Sequence, residues 1–458
     1  MQSKYSINDN FRLKKANPSI TVLVGFGVII IAGTLLLLLP AAVKDKAGIT
    51  FIDALFTSTS AVCVTGLIVR DTEHFFTPFG HFVILCLIQL GGLGYMTLST
   101  FLSVSVAKKL SSNVRYQTID EFQRFSAKNI RRFLQSVILF TFTAEAIGAL
   151  LLLPNMLRHV NDPLKAVWFS VFHSVSAFCN AGFSLFSENF VLLKNDPFAV
   201  LVVSMLIIIG GFGFIAIGDI RRNIFKKRRQ FQVHTIVAFL MTAFLVLIPF
   251  VIFFFLERNN SLSELTIFNK IVNAGLQAVT PRTAGFNTLD LSMMKNATLF
   301  MFILMMFVGA SPGGTGGGIK TTTIFVVFSA MINKLKGRKK LNLFRRNINE
   351  ETIFRSYFIL SISLFLIAAS FLFLLMSESY DPFKLLFETV SAFGTVGLSS
   401  GLKGTSVSLS GGFTWVGKMI IIIVMIIGRI GIMTSISLFI TKDRSETIKY
   451  PETKITVG

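Results

Sequence analysis

Four short stretches of this 458-residue chain close in the same way: Val64-Thr65-Gly66, Asn180-Ala181-Gly182, Thr283-Ala284-Gly285 and Thr395-Val396-Gly397. They end the segments FIDALFTSTSAVCVTGLIV (51–69), VWFSVFHSVSAFCNAGFSLF (167–186), IVNAGLQAVTPRTAGFNTL (271–289) and LLFETVSAFGTVGLSSGL (385–402). Each segment opens with about a dozen apolar and Ser/Thr residues, and each glycine is followed by Leu or Phe. The glycines stand 116, 103 and 112 residues apart, so period and register both recur. Glycine adopts positive φ cheaply, and a backbone that uses it can aim successive carbonyl oxygens the same way. Rings of such oxygens suit a dehydrated cation. Two other features could do chemistry: the run GASPGGTGGGIKTTT (309–323), and Arg429 in IIGRIGIMTS. Glycine takes the place of Arg429 in the related stretches QLGGLGYMTLS (89–99) and IIGGFGFIAIG (208–218), at Gly92 and Gly211.

The elements that carry these residues are apolar. The chain is 52% hydrophobic and only 15% charged, with long apolar runs at 20–40, 80–106, 133–154, 198–217, 234–256, 297–308, 354–376 and 416–440. Most can cross about 30 Å of hydrocarbon as helices. The expected fold class is all-α integral membrane. Residues 20–40 are too long for a signal-peptide core and read as a retained span. Cys63, Cys86 and Cys179 form no CxxC pair, and the five histidines show no metal-ligand spacing.

The formal charge of +21 is unevenly placed. With the runs taken as alternate crossings, one side holds 29 Lys and Arg against 9 acids, and the other 13 against 13. This bias puts both termini in the cytoplasm and requires an even number of spans. The basic clusters RRNIFKKRR (221–229) and KLKGRKK (334–340) read as orientation signals beside anionic membrane lipid, not as a nucleic-acid surface.

A dozen helical residues reach only about 18 Å. The four repeated segments are therefore expected to dip in as short helices and return as extended chain, which is tolerated at membrane depth only where buried or lining a wet cavity. Each repeat reads as span, re-entrant loop, span. Two spans return the chain to its starting side, so the repeats share one orientation around an axis along the membrane normal. Inverted-repeat transporters need an odd number of spans per unit. The reading is eight transmembrane helices and four re-entrant pore loops with pseudo-fourfold symmetry around one pore. The boundaries are an N-terminal cytoplasmic segment (1–19), repeat 1 (20–106), a basic loop (107–132), repeat 2 (133–218), a basic loop (219–233), repeat 3 (234–332), a basic loop (333–353), repeat 4 (354–440) and a cytoplasmic tail (441–458).

Thr395-Val396-Gly397 resembles the start of a potassium-channel filter, and the other three triplets resemble degenerate copies. Four unequal span-loop-span units resemble the Trk/Ktr/HKT superfamily of potassium transporters over about residues 20–440. The Trk branch usually carries two further N-terminal helices; only about 19 residues precede the first span here, which is most similar to the membrane subunits of the Ktr branch. The resemblance implies potassium as the ion, bound by backbone carbonyls at the twelve triplet residues. It implies uptake into the cell, a homodimer with one pore per chain, and a cytosolic ring of nucleotide-binding regulatory subunits. A serine in place of the first filter glycine accompanies sodium preference in plant relatives, so Gly66 favours potassium. A sodium-coupled symporter or sodium-permeable transporter of the same architecture is the alternative.

The Gly-rich run is not a phosphate loop. From Gly313 the sixth residue is Gly318, but Ile319 follows and Lys320-Thr321 come one place late. Residues 297–308 and 319–332 are each too short to span, and they read as one helix interrupted near its centre by Gly309, Gly313, Gly314, Gly316, Gly317 and Gly318. A break at that depth, 309–320, is expected to line the path below the filter. The resemblance makes it a gate with Lys320 and Arg429 beside it. Arg429 reads as a positive barrier to a passing cation or as a buried arginine paired with helix carbonyls; both fit together. Glu145, inside a span, reads as a functional carboxylate or a structural hydrogen-bonding group. His173 reads as a packing residue, and Arg282 as a loop brace through an ion pair. No enzyme activity and no organic cofactor are expected.

Overall fold

The computed structural model describes residues 18–45, 48–109, 127–223, 230–338, 340–344, 346–402 and 407–436. Nearly all of the expected segment 1–19, the middle of the loops 107–132 and 219–233, and the tail 441–458 lie outside the described residues. Helix dominates; the one ribbon among the described residues pairs Asn342–Leu343 with Arg346–Asn347.

The helices fall into four groups. The first holds α1 (Pro18–Leu37), α2 (Phe51–Val62), α3 (Thr72–Phe75) and α4 (Pro78–Lys109). The second holds α5 (Ala127–His159), α6 (Pro163–Cys179), α7 (Pro197–Phe212) and α8 (Phe214–Asn223). The third holds α9 (Val233–Glu257), α10 (Ile267–Val279), α11 (Asn296–Phe307) and α12 (Thr321–Leu335). The fourth holds α13 (Glu350–Ser377), α14 (Pro382–Gly394), α15 (Trp415–Ile430) and α16 (Ile432–Ile436).

Each group contains a short helix whose start is written in its sequence. Thr50 caps α2 at Asp53 N, Asp162 caps α6 at Leu164 N, Thr266 caps α10 at Asn269 N, and Asp381 caps α14 at Phe383 N. Each side chain satisfies an amide that the first turn leaves without a partner. Pro163 and Pro382 add a ring that suits the first helical position.

Packing separates the two helix types. Ser58, Thr59, Ser60, Ser174, Ser176, Asn273, Gln277, Thr389 and Ser391 on the short helices are buried. The first helix of each group presents large apolar side chains outward, among them Ile31, Leu139, Phe239 and Phe365. Large apolar side chains facing outward around a core that mixes apolar and polar residues fit hydrocarbon surroundings. Four helices among the described residues are long and apolar enough to cross a membrane, at 20–37, 134–159, 233–257 and 350–377. They are the first helices of the four groups.

The second helices depart from the continuous runs expected at 198–217 and 416–440. α7 stops at Gly213, and α8 leaves it at an angle of 92°. α15 stops in the same way at Gly431. Both glycines take positive φ, +95° and +90°, which ends a right-handed helix at little cost to glycine alone. In the third group the break is longest: α11 and α12 flank the Gly-rich run.

Candidate functional site

The four triplets meet. A Cβ built on Gly66 would strike Ala181 O and stand 3.0 Å from Gly182 Cα; one on Gly182 would stand 2.9 Å from Ala284 O and 3.0 Å from Gly285 Cα. One on Gly285 would meet Val396 O and stand 3.4 Å from Gly397 Cα, and one on Gly397 would meet Thr65 O and stand 2.9 Å from Gly66 Cα. The contacts run 66 to 182 to 285 to 397 and back to 66, a closed ring in chain order. Groups 1 and 3 are therefore opposite each other, as are groups 2 and 4. No side chain but hydrogen fits at these four places.

The residue two before each glycine is also left-handed: Val64 (φ +56°), Asn180 (+61°), Thr283 (+73°) and Thr395 (+50°). The sequence reading placed positive φ at the glycines and missed these. Val64, Thr283 and Thr395 are β-branched, for which this conformation is uncommon and strained, and strain that recurs in one register marks a candidate functional site. All four residues, with Thr65, Ala181, Ala284 and Val396, are fully buried.

A second missed feature holds the strands in place. Ser60, Ser176 and Ser391 lie six residues before their glycines. Their carbonyl oxygens accept from Thr65 N (2.8 Å), Ala181 N (2.7 Å) and Val396 N (2.9 Å). Ser60 and Ser391 hydroxyls accept from Gly66 N and Gly397 N, both at 3.1 Å, while Ser176 Oγ donates to Phe183 O at 2.8 Å. The third group has Val279 there, and Ala284 N donates instead to Thr280 O at 3.0 Å. The three serines share one register ahead of their glycines in the sequence itself.

The Gly-rich run lies directly against this ring. Gly317 N donates to Thr395 Oγ1 at 3.0 Å, and a Cβ on Gly316 would overlap Thr283 Oγ1. Thr283 and Thr395 side chains thus face the run. Its ends meet, with Gly309 N donating to Ile319 O at 2.9 Å. It docks on the two broken helices: Ser311 N to Gly211 O (3.2 Å), Thr315 N to Gly210 O (3.1 Å), Gly318 N to Gly428 O (3.2 Å). In return Phe214 N donates to Gly313 O at 3.1 Å. The run supplies the partners that α7 and α15 lose at their breaks. Bonded to groups 2 and 4, which are opposite, it crosses beneath the ring.

Arg429 completes this layer. It is 1% exposed, and its guanidinium donates to Thr315 O and to Gly91 O, the latter at 2.6 Å. It joins the crossing run to the first group. The sequence match of Gly91, Gly210 and Gly428 holds in space: a Cβ on each would strike a carbonyl at the end of its own short helix, Val62, Phe178 or Phe393. Arg429 therefore takes the place of Gly92 and Gly211 in three dimensions. Lys320 Nζ donates to Gly316 O at 2.6 Å.

The remaining candidates have structural partners. Glu145 accepts from Gln89 Nε2 at 3.2 Å, beside Cys179 Sγ. His173 Nε2 accepts from Leu185 N at 3.0 Å, and its ring stacks on Phe186. Arg282 is corrected. It is 5% exposed and donates to Thr242 Oγ1 at 3.4 Å, with no carboxylate within ion-pair distance among the described residues. It lies in the packed interior between α9 and the third loop, away from the exposed acids of the surface.

A cavity of about 330 Å³ opens on the other face of the ring, lined by Gly66, Gly182, Gly397, Asp71, Glu188 and Asn189 among others. A second, of about 220 Å³, lies beside the crossing run at Gly318, Lys320, Gly428 and Gly431. The two share no lining residue.

Residues 4–449 match the family described as TrkH, cation transport protein. The chain is 36% identical over 449 residues to the Ktr system potassium uptake protein B of Vibrio alginolyticus, across 98% of this chain and 96% of that one. It is 34% identical over 452 residues to the potassium/sodium uptake protein NtpJ of Enterococcus hirae, across 97% and 98%. In fold it is similar to the crystal structure of the potassium transporter TrkH from Vibrio parahaemolyticus, with a TM-score of 0.76, 18% identity, and 94% and 87% of the two chains covered.

Proposed function

This chain belongs to the TrkH family of cation transport proteins, and from that premise we propose that it carries potassium into the cell through the ring of four triplets. The single observation that carries the reading is the closed ring of Gly66, Gly182, Gly285 and Gly397. Alternating left-handed residues turn the carbonyl oxygens of Val64 through Gly66 and of the three matching triplets toward one axis, where they replace the water shell of a potassium ion. The chain is a multi-pass membrane protein. In this reading it has eight spans, the four short helices are re-entrant, both termini are cytoplasmic, and the membrane potential drives uptake.

The crossing run 309–320, with Lys320 and Arg429, is the gate. What supports this is its bonding to opposite groups beneath the ring. Because these bonds join backbone groups of two helix breaks to one loop, they can be exchanged for water without unfolding a helix. Shortening residues 311–318 is expected to raise basal rubidium flux in proteoliposomes severalfold and to blunt control by a cytosolic partner. Wild-type flux and control in that variant would sink the gate.

We further propose a homodimer controlled by a cytosolic ring of nucleotide-binding subunits, docked at the basic loops. The name of the relative at 36% identity places that protein in a multi-component system, which supports a separate regulator here.

Uptake of radioactive rubidium in cells lacking their own potassium uptake, with and without sodium, tests the whole reading. Expected is growth at low potassium together with saturable rubidium uptake. Absence of both with the protein present in the membrane would overturn it. The second reading, potassium uptake with sodium carried or required, is favoured by the relative named for both ions; uptake that stops without sodium would establish it over the first.

A further inference from the structure

We propose that Asn189 is a specificity-determining positioning residue of the ring, because its side-chain amide bridges the outermost carbonyls of the second and third groups. The inference rests on the reading of the triplets as an ion filter. Asn189 Nδ2 donates to Gly285 O at 3.3 Å and to Gly182 O at 3.5 Å. An amide nitrogen has two hydrogens to give, and here both carbonyls belong to ring glycines of neighbouring groups. Its Oδ1 is shielded and has no partner among the described residues. Turning the amide over would set oxygen against two carbonyl oxygens, so the donor end is the one the site holds. The side chain also lines the 330 Å³ cavity beside Gly182.

The backbone around Asn189 is built to keep it there. Asn189 itself is left-handed, at φ +55°, a conformation asparagine tolerates better than most residues. The next residue is tied to the third group: Phe190 N donates to Asn287 O at 3.0 Å, and its ring stacks on Phe286 with centroids 4.8 Å apart. Two residues before, Ser187 N and Oγ donate to Glu73 Oε2 of the first group at 2.8 and 3.0 Å. The segment is strapped on both sides, and Asn189 stands between the straps. Seven places after the other ring glycines the residues are Glu73, Ser292 and Gly404, so no other group has an amide there.

The physical effect is on ring size. Sodium is smaller than potassium and needs the oxygens to close in. Two carbonyls held by a bridging amide cannot approach the axis freely, and each gives part of its electron density to a hydrogen. Both effects weigh against the smaller ion. Without the bridge the second and third strands can draw together.

Rubidium and sodium uptake, measured side by side in the same proteoliposomes, test this. Asn189→Gly removes the amide and keeps the left-handed backbone comfortable. Asn189→Asp keeps the shape and loses the donor. In both variants the sodium-to-rubidium uptake ratio is expected to rise about five- to tenfold, the worth of about one hydrogen bond. An unchanged ratio in Asn189→Gly, with rubidium uptake intact, would overturn the inference while leaving the filter reading standing. Wild-type protein that moves neither ion would overturn both.

Discussion

Arg429→Ala is expected to raise rubidium flux through the isolated chain by up to about a hundredfold. A fixed positive charge about 5 Å from a passing cation costs roughly 3 kcal/mol at an effective dielectric of about 20, which is about a hundredfold in rate. The same substitution releases Thr315 O and Gly91 O, and so removes one of the ties that hold the crossing run to the first group. Both effects open the path. A buried carbonyl left without a partner costs about 1–3 kcal/mol, so the variant is also expected to melt a few degrees lower. Arg429→Lys separates the two causes. A lysine keeps the charge but cannot reach two carbonyls in a fork, so its flux stays near wild type if charge is the barrier and approaches that of Arg429→Ala if pinning is. Flux at or below wild type in well-folded Arg429→Ala would refute the barrier altogether.

Gly397→Ala is expected to reduce uptake by about a hundredfold with the protein still inserted. At φ +88° a new Cβ would meet Thr65 O and stand 2.9 Å from Gly66 Cα. Left-handed strain alone costs about 1–3 kcal/mol, and the collision is with backbone that has nowhere to move. Relief comes only by turning the peptide, which takes a carbonyl out of the ring. Because every ring glycine abuts the next strand, Gly66→Ala is expected to behave alike. Gly27→Ala on α1, where a Cβ meets nothing within 4 Å, is the matched control and is expected to be silent. Equal uptake by Gly397→Ala and Gly27→Ala would show that the ring is not the ion path.

Much of this was legible in the chain itself. Membrane class follows from the apolar runs, because a span needs about 20 consecutive apolar residues whatever its neighbours are. The short helices follow from the dozen apolar and Ser/Thr residues before each glycine, and their caps at Thr50, Asp162, Thr266 and Asp381, which that reading did not use, are local interactions too. The four glycines and the place of Arg429 among Gly92 and Gly211 came from register alone. Even the serines six places before three of the glycines were there to be read.

What register cannot contain is who touches whom across groups. The order of the ring, the crossing of 309–320 beneath it, the two carbonyls held by Arg429 and the bond from Asn189 to Gly285 all join residues about 80 to 340 positions apart. Such contacts depend on how four separately formed units dock, and backbone carbonyls, which make most of them, are the same in every residue. The breaks at Gly213 and Gly431 show the division well. Their glycines stand in plain view, but glycine in an apolar helix is common and often harmless. Only the docked Gly-rich run, which bonds carbonyls and the Phe214 amide at the first break and the Gly428 carbonyl at the second, turns those two glycines into helix ends. The sequence by itself thus determined the parts and their fourfold register, because local hydrogen bonds and hydrophobic lengths are set within each segment. The tertiary structure alone decided how the parts close on one axis, because that closure is made of backbone contacts between segments.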